Sequence, residues 1–480
     1  MRRVRSTVFA VIAVLVIASM VMAQGAGPNP GSGSTDVRFF NFSDDTATVV
    51  IDYINESGVI EATRTATVNP KGSYDFTAAQ SGLGDGWNGA GVISADREGA
   101  STAFVYWTGG ESADGTTAAA YLGVPEGATT VYCPSLAARP NKQKSLVAVQ
   151  NADTGTAEVE LYFYDRSGNA WSGNPVSASI PEGASKVWDL TELNFPVTNP
   201  PGDGWLGSVR ITSTNGKKLA AIVTMFWRQF SSAYNCVSSG DTTIIFPDVK
   251  RRVFNNVWRQ YGGNVIQNLG DQTANIRVEV MDRNGNVLYT FNDTIPPLAS
   301  QGYNTRFNAD APDPAAFHNA MGNDFNGALR VTSTNGQPLA AVNNGLTVIA
   351  GRQRASTYVA EGASTGSTTL YFPAIYRIVS GSDWARFSAI IIYNLGNANA
   401  NVTLKFYDKA GNLVLTDSNN VIPPGTSAGF NTRFGISLDN PDALGSNFEG
   451  AVEVTSDQPV VGLVNTNFPD QQATYNAYKR

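Results

Sequence analysis

The sequence is poor in the residues that chemistry usually needs. Its 480 residues hold one histidine, His318, and two cysteines, Cys133 and Cys236. Two thiols and one imidazole cannot close a four-ligand zinc site. Nothing near His318 supplies the nucleophile of a Ser-His-Asp arrangement, so it reads as a solvated histidine in a short Ala- and Asp-containing loop. The chain has no P-loop, no dinucleotide fingerprint and no His-Glu-x-x-His run. Its 40 acidic residues offer many accidental carboxylate pairs, and no spacing singles out a glycosidase pair. The chain is therefore read as a non-enzyme without cofactors. Charge is sparse too, at 15% of residues.

Long hydrophobic runs are nearly absent. The exception lies at the start, where Arg2, Arg3 and Arg5 precede an apolar stretch from Val8 to Met22, with Val21 and Ala23 as small residues at a cleavage site. This predicts a secretory signal over 1–23, with no membrane span after its removal. Of the 33 basic residues, loss of those three arginines leaves 30 against 40 acids. An acidic balance argues against nucleic acid and anionic membrane as partners, because both are bound through clustered Lys and Arg. Export to the outside or the cell surface also predicts a Cys133–Cys236 disulfide, with two buried free thiols as the alternative. Residues 24–35, rich in Gly, Pro and Ser, read as a flexible lead.

What the sequence does contain is repetition. Asn41, Asn151, Asn268 and Asn394 are each followed by Asn55, Asp165, Asp282 and Asp408, and then by Gly58, Gly168, Gly285 and Gly411, at the same offsets each time. A period of about 110 residues is long enough for a unit with its own core. Before each Asn/Asp-x-x-Gly turn the chain alternates with period two. Val159, Leu161 and Phe163, then Ile276, Val278 and Val280, then Val402, Leu404 and Phe406 mark half-buried strands. The turn itself is hairpin chemistry. A calcium loop fits it poorly, since in Asp282, Asn284 and Asn286 the Gly falls at the fourth place and no Glu closes the loop. Further marks recur at Pro70, Pro181, Pro296 and Pro423, at Trp87, Trp205, Phe325 and Phe448, and at Tyr121, Tyr234, Tyr358 and Tyr475.

A Thr-Thr strand ending in Pro134, Pro247 or Pro373 joins successive units, so four units share three such strands. Either the first lacks its opening strand or the fourth lacks its closing one. With seven or eight strands per unit, the expectation is all-β: four tandem antiparallel Greek-key, immunoglobulin-like β-sandwich domains at 36–128, 129–241, 242–367 and 368–480. Short joints between them predict an elongated molecule.

The pattern resembles the tandem immunoglobulin-like repeat proteins that bacteria secrete to their surfaces. That resemblance implies structural or adhesive work outside the cell. The leading expectation is the subunit of a rod, coat or filament, self-associating head to tail through an unfilled β-edge. The alternative is an adhesin or a protein binding surface polysaccharide. Trp258 and Trp384 occupy equivalent positions and are read as an inter-repeat contact, with a ligand platform as the rival.

Overall fold

The computed structural model describes residues 10–14, 28–111, 116–140, 142–197, 204–307, 309–349, 352–381, 383–434 and 438–480. The chain is almost all β, in several antiparallel sheets. The second repeat shows the pattern. Its opening strand Thr130–Arg139 pairs with Trp205–Ser213, which pairs with Ala157–Asp165 and then Val176–Ile180. A second layer runs from Ser185–Asp189 through Gln143–Asn151 and Leu219–Trp227 to the closing strand Ser231–Asn235. The third repeat follows the same order. Alternating side chains fill the space between layers: Val159, Leu161 and Phe163 are fully buried, as are Ile276, Val278 and Val280, and Val402, Leu404 and Phe406.

The recurring asparagines hold the layers in register. Asn41, Asn151, Asn268 and Asn394 are completely buried. Asn151 Nδ2 donates to the carbonyls of Gly155 (2.6 Å) and Ile180 (3.0 Å), and its Oδ1 accepts from Asp153 N (3.0 Å). Asn394 makes the same set with Ala398, Ile422 and Gly396. One side chain thus satisfies two loops that sequence places almost thirty residues apart, and a buried carbonyl left without its donor costs about 1–3 kcal/mol.

The joining strand belongs to the repeat that follows it, since Thr243–Phe254 pairs with Asp324–Ser333 and Ser367–Ser380 with Asn447–Asn467. The first repeat therefore has no Thr-Thr strand. Beside its strand Gly89–Ala95 lies Ala10–Val14, in register from Ala10↔Ala95 to Val14↔Gly91. Gly91 and Val209 each stand two residues after the glycine that opens their strand, Gly89 and Gly207, so Val14 opposite Gly91 takes the place that Cys133 takes opposite Val209 in the second repeat. The rest of the expected signal, 1–9 and 15–23, lies outside the described residues. Part of the expected flexible lead is ordered: Gly31–Asn41 is one strand, paired along its whole length with Gly99–Gly109. Its backbone is held by strand pairing, which needs no apolar side chains.

The expected elongated shape is overturned. The closing strands Thr116–Leu122, Ser231–Asn235, Arg352–Val359 and Gln472–Asn476 touch in cyclic order, so the fourth repeat packs back on the first. Phe104 of the first repeat lies edge-on to Tyr376, Phe468 and Tyr475 of the fourth. Ser231 Oγ donates to Thr117 Oγ1 (2.9 Å) and Thr357 Oγ1 to Ser232 Oγ (2.7 Å) along the shared axis. Asn235 exchanges two hydrogen bonds with the Leu122 backbone, and Asn476 two with Val359. Short joints fold the string of repeats into a ring because the inner strands carry small side chains whose polar groups find partners on the neighbouring strand.

Small-angle scattering of the purified chain should accordingly give a radius of gyration near the roughly 23 Å of one compact body this long; a tandem rod would give a much larger value. Replacing Asn394 with Ala should lower unfolding free energy by about 2–4 kcal/mol, because several buried groups lose partners at once. Urea denaturation would measure it.

Candidate functional site

The most elaborate side-chain constructions lie at the joints between repeats and in two matching clusters of arginine and aromatic rings. At each joint, the turn after the third strand of one repeat docks on the Pro turn of the next. Ser300 N donates to Arg166 O (3.1 Å), and Ser73 N to Lys409 O (3.0 Å). Gly411, at φ +94°, lies so close to the first repeat that a Cβ there would sit 2.1 Å from Pro70 O. Only glycine meets both conditions. Asp408 Oδ1 accepts from Asn412 N (2.9 Å) and Oδ2 from Asn412 Nδ2 (2.9 Å), so the carboxylate shapes this turn from within.

The basic residue after the turn Asp then reaches across: Arg166 pairs with Asp310, and Lys409 Nζ lies 2.7 Å from Asp75. At the joint that closes the ring, Arg38 is buried and bridges Asp75 of its own repeat (2.8 Å from Nη2) and Glu449 of the fourth (2.9 Å). Lys71 meets Glu453 at 3.0 Å. Burial pushes the Asp75 carboxyl upward, but the hydrogen bonds and charges of Arg38 and Lys409 outweigh it and hold the group at about 2.

Trp258 and Trp384 are half-buried, each within its own repeat. Arg251 lies 4.9 Å and Arg306 5.2 Å from the Trp258 ring centre, and Tyr261 meets it edge-on. Arg377 lies 5.3 Å from Trp384, with Phe387 and Phe434 beside it. Among the described residues, the ring and cation contacts of these tryptophans are with residues of the third and fourth repeats respectively. Arg306 is held between Tyr261 and Phe307, and Arg433 between Phe387 and Phe434. Burial lowers the pKa of Arg251 and of Arg433. The signal for this pairing was the tetrapeptide Asn-Thr-Arg-Phe, present at Asn304–Phe307 and again at Asn431–Phe434. Its Thr anchors the cluster: Thr305 Oγ1 donates to Lys250 O (2.8 Å), and Thr432 Oγ1 to Tyr376 O (2.7 Å).

Cys133 and Cys236 form a disulfide, Cα–Cα 4.7 Å, between the opening strand and the residues after closing Tyr234. The third and fourth repeats place Phe246 and Phe372, both fully buried, where Cys133 stands. The closing tyrosines brace the opening strand at its Pro bulge: Tyr234 donates to Ser135 O, Tyr358 to Asp248 O and Tyr475 to Ala374 O, at 2.8–2.9 Å.

His318 is not a loop residue. Asp313 caps the helix Pro314–Met321 through Ala316 N, and the half-buried His318 Nε2 lies 2.8 Å from Asn304 O beside Phe317. Among the described residues no group of three or more His, Cys, Asp or Glu is placed to hold a metal, and no helix is long and apolar enough to cross a membrane.

No protein-family model and no curated protein sequence matches the chain. Among solved structures it is similar to Thermotoga maritima 1070, with 17% identity over 26% of this chain and 95% of that one, at a TM-score of 0.20. A tetra-tandem repeat in the extending region of a large adhesion protein aligns at 13% identity over 98% of this chain and 99% of that one, at 0.11. Dimeric latent PorU from Porphyromonas gingivalis aligns at 7% over 78% and 31%, also at 0.11. Likeness this low carries no functional argument.

Acid should weaken the closing joint first. An Asp whose folded pKa is depressed stabilises the protein fully above its unfolded value near 4 and loses that contribution as pH falls toward 2. From the ordinary value of 3.8 to about 2, the shift corresponds to about 2 kcal/mol. Asp75→Asn should therefore be less stable than the parent by about that much at pH 7 and nearly equal to it at pH 2, as read from urea midpoints.

Proposed function

We infer that the chain is an exported, non-enzymatic structural protein of the cell surface, built from four immunoglobulin-like, Greek-key β-sandwich repeats at 36–128, 129–241, 242–367 and 368–480. It self-associates through the β-edge of its first repeat. One observation carries this reading: the opening strand of that repeat comes from Ala10–Val14, inside the segment that reads as a secretory signal. Signal cleavage removes that strand. The outer edge of Gly89–Ala95 then presents unpaired backbone groups, and such an edge accepts a strand from another chain. A contact of this kind is heterologous and can propagate into a filament or coat. The disulfide is consistent with an oxidising compartment.

The rival reading, a saccharide-binding adhesin using Trp258 and Trp384, finds less support, because guanidinium groups already cover both rings. Electron microscopy and light scattering of the chain beginning at Gln24 test the proposal. Ordered assemblies should form, and a peptide spanning Ala10–Val14 should suppress them. A mature chain that stays monomeric at every concentration and ignores the peptide would refute it.

A further inference from the structure

The third and fourth repeats build the same cluster with one difference in charge. Arg251 and Arg377 stand at the same distance beyond Pro247 and Pro373 of their opening strands, and each pairs opposite the marker aromatic of its repeat, Arg251 with Phe325 and Arg377 with Phe448. Arg377 is engaged at all three nitrogens: Nε donates to Thr432 O (2.9 Å), Nη1 to Gly445 O, and Nη2 pairs with Asp442. Arg251 makes one hydrogen bond, from Nη1 to Thr305 O (2.7 Å), and its Nε is buried with no partner among the described residues. A buried donor without an acceptor calls for one.

The missing partner can be located. Gly445 N donates to Asp442 O (2.9 Å), and Gly322 N to Asn319 O (3.2 Å), where each glycine ends a short helical segment. Asn319 thus stands where the fourth repeat has Asp442, and an exposed neutral amide holds the place of the carboxylate. Asp324 does not replace it, because Arg252 holds that side chain at 2.7 Å. Arg306 lies 5.2 Å from the Trp258 ring centre and Arg251 4.9 Å, so two guanidinium groups meet one ring, and neither has a carboxylate partner among the described residues. Asn308, after Phe307, lies outside the described residues and carries no charge. Burial alone lowers the Arg251 pKa, as expected where no anion offsets the loss of water. Alongside runs a row of rings in edge-to-face contact, Trp258 with Tyr261 at 5.8 Å and Tyr261 with Phe307 at 6.0 Å, and Phe307 is 57% exposed.

A guanidinium takes a carboxylate through charge-assisted hydrogen bonds, and exposed rings cover an apolar tail. We propose that the third-repeat cluster binds a small organic carboxylate bearing an aromatic group, with Arg251 on the carboxylate in the place Asp442 takes on Arg377, Arg306 adding positive charge, and Phe307 against the aromatic group. The site lies within one repeat and does not depend on assembly through the first.

Calorimetry on the mature chain tests it with phenylacetate, its neutral isostere phenylacetamide, and acetate. Phenylacetate should bind at a single site, at least about tenfold tighter than either of the others. Asn319→Asp, which gives Arg251 the carboxylate that the fourth repeat already has, should weaken phenylacetate binding at least about tenfold without lowering Tm. Arg251→Gln should abolish binding, and Asn319→Asp serves if the glutamine variant fails to fold. No binding of phenylacetate at millimolar concentration, equal binding of phenylacetamide or acetate, or undiminished affinity in a folded Asn319→Asp or Arg251→Gln protein would each overturn the proposal.

Discussion

The structure depends on one joint used four times, in which the Asn/Asp-x-x-Gly turn of each repeat presses into the Pro turn of the next. Gly58 lies against Pro181, Gly168 against Pro297, Gly285 against Pro424 and Thr426, and Gly411 against Pro70. A side chain at any of these glycines would hold the neighbours apart. Because the fourth contact returns to the first repeat, every joint is tied to the others, and the axial strands are buried only while all four hold.

Around this constant joint the repeats diverge in how they fill space. The first and fourth share a continuous apolar cluster through Phe104, Tyr376 and Tyr475, and their charges meet through buried Arg38. The second and third share an apolar cluster through Val342, Val265 and Val359, and beside it meet through smaller polar groups, Ser135 with Asn344 and Ser232 with Thr357. Apolar burial is nondirectional, whereas polar groups must meet matched donors and acceptors. Divergence between copies of one unit thus sets how each joint is filled.

Much of the local architecture was legible in the sequence. Period-two runs such as Val402, Leu404 and Phe406 marked strands because a strand with one dry face must alternate. Asp-x-x-Gly marked turns because Asp can accept its own backbone N–H groups and Gly can take positive φ. The Cys133–Cys236 pairing followed from there being only two thiols. Less legible were the clusters around Trp258 and Trp384, although Asn-Thr-Arg-Phe stands twice in the chain, since residues that cluster from four separate segments leave no local period. His318 was misplaced because its helix begins at a single Asp-Pro cap within an otherwise β-rich unit.

The sequence alone determined the repeat and the places of its strands and turns, all properties of neighbours along the chain. The tertiary structure decided that the units close into a ring, that the joining strand belongs to the repeat after it, and that Ala10–Val14 supplies the strand the first repeat lacks. The same pattern of outward-facing side chains serves a solvated rod and a buried joint equally well. Only the distance between surfaces far apart in sequence, such as Gly411 and Pro70, distinguishes one from the other.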